Sequence, residues 1–195
     1  IKGLKMSKSL KNFTTIREAL EHHSARQLRL MFLLQAWDKN MNYSDQTIEE
    51  AEKRETSFKS YFAEVKDQLR KNWLGKPTKW DARSRELAAR LAEHQSAVHE
   101  CLCDNFNTPG AMAALLAIVS DANSYVTKNS AVDALLLKKG ATYVTRILRI
   151  FGVATQEDFG FPVGAEGAGG YEEHVAPVVS AMVAFRDEVR AAAKG

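Results

Sequence analysis

Lys5-Met6-Ser7-Lys8-Ser9, with Leu10-Lys11-Asn12-Phe13 behind it, is the stretch of this chain whose residue types are arranged for chemistry. Two lysines three residues apart flank small hydroxyls. A lysine ammonium is a compact point charge suited to phosphate oxygens. Serine hydroxyls, with the free backbone N–H groups of a turn, add donors without bulk. Lys2, Lys5, Lys8 and Lys11 recur every third residue, Arg17 follows, and the first acid is Glu18, so residues 1–17 carry a formal charge of +5. A polyanion such as a triphosphate fits this composition. On charge alone, a basic amphipathic tail for RNA, a membrane or nuclear import accounts for the same residues.

The elements that must position this loop read as helices. The chain has 195 residues, 45% of them hydrophobic, and a net charge of +3, which leaves −2 for residues 18–195. The basic balance is therefore local, and the length suffices for one sizeable domain or a domain and a tail. No apolar run is long enough to span a bilayer, no signal peptide pattern is present, and residue 1 is Ile, so the chain reads as a piece of a longer protein. Cys101 and Cys103 are separated by one residue, too close for a structural disulfide and too few for a zinc site; they read as free thiols in a reducing compartment.

Residues 1–13 read as a loop. Thr15 to Glu18 has capping-box spacing, so a short helix is predicted from there to His22-His23. Ser24 caps a second helix, Ala25 to about Trp37, which is apolar nearly all round and is predicted to be the central core element. Arg26 and Arg29 would solvate its start. Ser44 caps a long helix to about Trp73 with a stripe of Ile48, Ala51, Phe58, Phe62, Val65 and Leu69, and Glu49, Glu50, Glu52, Lys53, Arg54 and Glu55 as its solvated face. Residues 66–90 hold eight cations and three acids around Trp73 and Trp80, which suits an RNA backbone with stacking partners or, more plainly, a solvated connection at Gly75 and Pro77.

Asp81 caps the next helix, to about Cys103; His94 and His99 are five apart and so not on one ligand face. Thr108 as N-cap and Pro109 at the first helical position open another helix after a tight turn. A further helix spans about Val132 to Phe151, broken or kinked at Lys138-Lys139-Gly140 and stopped by Gly152. Residues 152–170 hold six of the eleven glycines and read as a mobile linker. A last helix, about Glu172 to Ala193, would bury Val175, Val178, Val179, Met182, Phe185 and Val189. The fold class is all-α: a helical bundle over 14–151, a Gly-rich flexible loop over 152–170 and a final bundle helix over 171–195.

The order of residues in the first stretch resembles the second signature of class I aminoacyl-tRNA synthetases. Its continuation through Phe13-Thr14-Thr15-Ile16-Arg17-Glu18-Ala19-Leu20 resembles the cysteinyl-tRNA synthetases, and Lys11, where many bacterial members have Gly, points to the eukaryotic branch. Asp104-Asn105-Phe106-Asn107-Thr108-Pro109 resembles a corner in that family's helical domain, with Asn105 in place of a common acid. Phe185 to Arg190 resembles the helix before the family's small anticodon-binding domain, and that domain is expected to be missing here.

The resemblance implies an ATP-dependent ligase that activates cysteine and transfers it to tRNA(Cys) in the cytoplasm, as a monomer with no membrane association. It makes residues 1–13 the end of a Rossmann-like catalytic domain that lies upstream, together with that domain's zinc site and its His-containing signature. None of His22, His23, His94, His99 and His174 stands in such a signature. Lys8 would be the main contact to the ATP phosphates and Lys5 its assistant, with Ser7 and Ser9 positioning the loop; the bundle would dock tRNA. This chain alone would bind no zinc and be inactive. The alternatives are a related ligase joining cysteine to an amino-sugar, and a non-catalytic helical module binding RNA or protein.

Overall fold

The computed structural model describes residues 13–72, 80–128, 132–155, 159–161 and 171–192. Among these it contains seven helices and no strand: α1 Ile16–His22, α2 Ala25–Leu33, α3 Asp45–Asn72, α4 Ala82–Cys103, α5 Thr108–Lys128, α6 Ala134–Ile150 and α7 Tyr171–Ala192. The chain forms two compact units, residues 1–161 and 162–195.

Local chemistry sets most of the helix starts. Thr15 and Glu18 form a reciprocal capping box at α1, Ser24 and Gln27 form another at α2, and Asp81 and Asp133 accept from the N3 amides of α4 and α6. Thr47 N–H donates to Ser44 Oγ at the start of α3. At α5 the cap is one residue earlier than the sequence suggests. Asn105 and Phe106 both take φ +51°, and this left-handed corner delivers Asn107, whose Oδ1 accepts from Gly110 N–H at 3.0 Å. Thr108 is thereby the first helical residue and Pro109 the second.

The core lies where α5 and α6 meet α3 and α4. Phe58, Tyr61, Met112, Leu115, Leu137, Val144 and Leu148 are fully buried there, and burial of this kind is the main favourable term in folding. Two expectations are corrected by it. Gly140 does not break α6; it is buried inside an unbroken helix, and a Cβ there would stand 3.0 Å from the Tyr61 hydroxyl. Its missing side chain lets α6 approach α3 closely. Nor is α2 the central element: it ends at Leu33, and Phe32 is exposed while Leu28, Leu30 and Met31 are buried. Beyond α2 the chain turns so that the Trp37 indole N–H donates to Asn105 O at 2.8 Å, on the corner before α5.

Arg26 and Arg29 hold the fold together instead of solvating a helix start. Arg26 donates from Nη1 to Glu55 Oε1 on α3 at 3.1 Å and from Nε to Val153 O at 3.2 Å, and its guanidinium lies 4.2 Å from the centre of the Phe161 ring. Arg29 donates to Gly152 O at 3.1 Å. Glu55, read from the sequence as part of a solvated face, is 5% exposed and also pairs with Lys59 at 2.8 Å. Burial by itself raises its pKa, but the hydrogen bonds and charges of Lys59 and Arg26 outweigh burial and hold the carboxyl below its ordinary value. The segment after α6 is correspondingly packed. Val153, Ala154 and Phe161 are buried, and Phe161 meets Phe62 edge to face at 5.4 Å. The expected mobile linker thus does not begin at Gly152; residues 156–158 and 162–170 of that stretch lie outside the described residues.

In the second unit α7 contains Pro177. Val178, Val179, Met182, Phe185 and Val189, expected to be a buried side, are all exposed. The Val175 side chain lies outside the described residues.

Two outcomes are expected from these contacts. Gly152 ends α6 at φ +69°, and a Cβ there would overlap the Arg29 guanidinium. Gly152→Ala is expected to lower stability by about 1 kcal/mol or more, seen as a lower urea midpoint at unchanged m. Glu55→Gln is expected to cost about 1–3 kcal/mol near neutral pH. Because the folded carboxyl titrates below its unfolded value, its contribution is complete above the unfolded pKa and is lost as pH falls through the folded one. Denaturation followed from pH 7 into acid should therefore show a shallower loss of stability in Glu55→Gln than in the parent.

Candidate functional site

Lys5, Ser7, Lys8 and Ser9 lie outside the described residues, as do Trp73, Gly75, Lys76, Pro77 and Lys79 of the expected RNA-contacting stretch. The structure therefore places the segment that leads out of the lysine loop. Phe13, the first described residue, is 40% exposed, and the capped start of α1 comes two residues later. Thr15 N–H and Oγ1 both donate to Glu18 Oε2, at 2.7 and 2.9 Å, and these bonds lower the Glu18 pKa. This anchors the chain end to which the lysine loop is joined.

Beside this anchor lies an open hollow of about 380 Å³. Ile16, Leu20, Leu28, Met31, Phe32 and Tyr43 line it, together with Arg29. It carries no constellation of acids, bases or nucleophiles and so supports no bond chemistry of its own.

A second, polar hollow of about 190 Å³ lies between α4 and α5. Arg90 spans it, pairing with Asp121 at 3.1 Å and with Glu86 at 3.0 Å, and His94 Nε2 stands 2.9 Å from the other Asp121 oxygen. Ser84 and Tyr125 share a buried hydrogen bond of 2.9 Å, and the same phenol accepts from Asp133 N–H. These are mutually satisfied structural groups. His94 is thus the half-buried structural histidine that its spacing suggests. Arg85 donates to Trp80 O at 3.2 Å, and Trp80 is 46% exposed.

Among the described residues no three His, Cys, Asp or Glu side chains are grouped so as to hold a metal ion. Cys103 Sγ is 3.6 Å from His99 Nε2, but Cys101 is half-buried near Gly110, and the three do not converge. Sequence reasoning misses the groups that tie α2 to the bundle, Glu55 and the carbonyls of Gly152 and Val153. Periodicity marks the first as surface, and backbone acceptors carry no signature.

Comparison with known proteins gives a consistent assignment. A family model described as tRNA synthetases class I (C) catalytic domain matches residues 1–53, and one described as DALR domain matches residues 97–156. The chain is 41% identical over 203 residues to the cytoplasmic cysteine–tRNA ligase of Homo sapiens, 42% over 202 residues to that of Mus musculus and 41% over 206 residues to that of Drosophila melanogaster. Each match covers 100% of this chain and 24–28% of the relative, so the chain spans about a quarter of the length of the curated relatives it matches. The first match covers the lysine loop, α1, α2 and the start of α3; the second covers the end of α4, the Asn105-Phe106 corner, α5 and α6. Matched from end to end by these ligases and built of helices throughout its described residues, the protein belongs to the cysteinyl-tRNA synthetase family, of whose members it spans a segment.

Proposed function

We propose that this chain works as part of a cysteine–tRNA ligase, in the cytoplasm and as a monomer, supplying the ATP-phosphate loop and the helical surface that docks tRNA(Cys). The observation that carries this reading is the end-to-end match to proteins named cytoplasmic cysteine–tRNA ligases. In the reaction the cysteine carboxylate attacks the α-phosphorus of ATP and pyrophosphate leaves. A terminal ribose hydroxyl of the tRNA then attacks the carbonyl of the adenylate, and AMP leaves. Negative charge builds on the phosphates in the first step, so cations held against them stabilise the transition state. Lys8 is assigned the main contact and Lys5 the assisting one, with Ser7 and Ser9 shaping the turn.

We place the division between this loop and the helical unit near residue 13, just before the capping box of α1. Side-chain hydrogen bonds cross-link the bundle beyond it. The Trp37–Asn105 bond ties the end of α2 to the α4–α5 corner, and Arg26 ties its start to α3 and to the strap after α6. A helical arm of this kind suits RNA recognition by shape and phosphate. A zinc ion belongs, in this reading, to the part of the ligase outside this chain. Cys101, Cys103 and His99 do not form a fitting donor set, and no step is derived through a metal. The amino-sugar ligase and the non-catalytic module are not favoured by relatives named as ligases of tRNA.

In the full-length ligase, Lys8→Ala is expected to reduce ATP–pyrophosphate exchange by about 10²–10³-fold. An unchanged exchange rate would show that Lys8 does not stabilise the phosphates in the transition state.

A further inference from the structure

Helix α6 differs from the other basic helices in how its charge is balanced. On α3, Lys53, Arg54, Lys59 and Lys71 each pair with the acid four residues earlier, and on α4 Arg90 pairs with Glu86 in the same way. On α6, Lys138, Lys139, Arg146 and Arg149 are all exposed, and no Asp or Glu stands three or four residues from any of them. No ion pair joins them among the described residues. At 3.6 residues per turn they fall, with Thr142, within an arc of about 100° and over roughly 16 Å of helix. The opposite face of α6, with Leu137, Gly140, Ala141, Val144 and Leu148, is buried in the core, so this arc must face outward.

Like charges three or four residues apart destabilise a helix. The favourable interaction of a cation with a helix C-terminus accounts for Arg149 in the last turn, but not for Lys138 and Lys139 near the start. A surface of one sign, without acids, is compensated by an extended polyanion. No side chain larger than Thr142 stands between the two cation pairs on this arc, so a rod-like ligand can lie along the face. Leu135 and Ile150, both exposed, flank it only at the two ends of the helix.

We propose that the outward face of α6, carrying Lys138, Lys139, Arg146 and Arg149, is a docking surface for the sugar–phosphate backbone of structured RNA. It rests on the tRNA-ligase reading above and specifies which face of the bundle meets the tRNA. It reads phosphates, not bases, and so adds affinity without sequence preference.

The test uses the full-length ligase with Lys138, Lys139, Arg146 and Arg149 all changed to Gln, and a control, Lys53→Gln with Arg54→Gln, which removes cations already paired on α3. Binding of tRNA(Cys) is measured at several salt concentrations, with ATP–pyrophosphate exchange alongside. The α6 variant is expected to bind roughly tenfold or more weakly at low salt. Its slope of log affinity against log salt should be shallower by about 0.7–0.9 for each phosphate no longer neutralised, with exchange unchanged and the control close to the parent. An unchanged affinity and slope, or an equal loss in the α3 control, overturns the proposal and leaves the ligase reading standing. A parent enzyme that neither exchanges pyrophosphate with cysteine nor binds tRNA(Cys) removes both.

Discussion

The structure of residues 13–161 depends on one buried charge being fully answered. Glu55 is held inside by Arg26 and Lys59, and Arg26 also reaches Val153 O and the Phe161 ring. An unpaired carboxylate at this depth would be costly. The pairing therefore dictates where the third turn of α3, the start of α2 and the strap after α6 can sit. Arg29 repeats the tie one turn later on the Gly152 carbonyl. Apolar packing makes the bundle stable; these arginines decide which elements meet.

Consequences for function run outward from that junction. The lysine loop is joined to α1 and α1 to α2. In turn α2 is fixed on both sides, by Arg26 and Arg29 in its first half and by Trp37 beyond its end. In the proposed reading, where this loop meets triphosphate oxygens, such an anchor is of use, because electrostatic stabilisation works through donors already in place. The same bundle keeps its cations in two states. Lys53, Arg54, Lys59 and Lys71 of α3 and Arg90 of α4 are neutralised by neighbouring acids, whereas those of α6 stand alone toward solvent. Net charge alone, at +3, conceals that difference.

The second unit obeys a different balance. α7 presents Met182, Phe185 and Val189 to solvent although their spacing is that of an inward face. Amphipathic periodicity states that a helix has an apolar side. It does not state which surface covers that side.

Helix existence and most caps are written locally, in Thr15-Glu18, Ser24, Asp81 and the 3.6-residue stripes of α3 and α5, because capping and periodicity act over a few residues. The family, too, is legible from the order around Lys5–Ser9 and from the Asp104–Pro109 corner. Long-range contacts decide the rest. Glu55 is buried because cations from α2 and α3 converge on it, and Gly140 continues a helix because α3 crosses there. Neither of these carries a local sign, since each depends on which surfaces approach one another, and only the packed chain settles that.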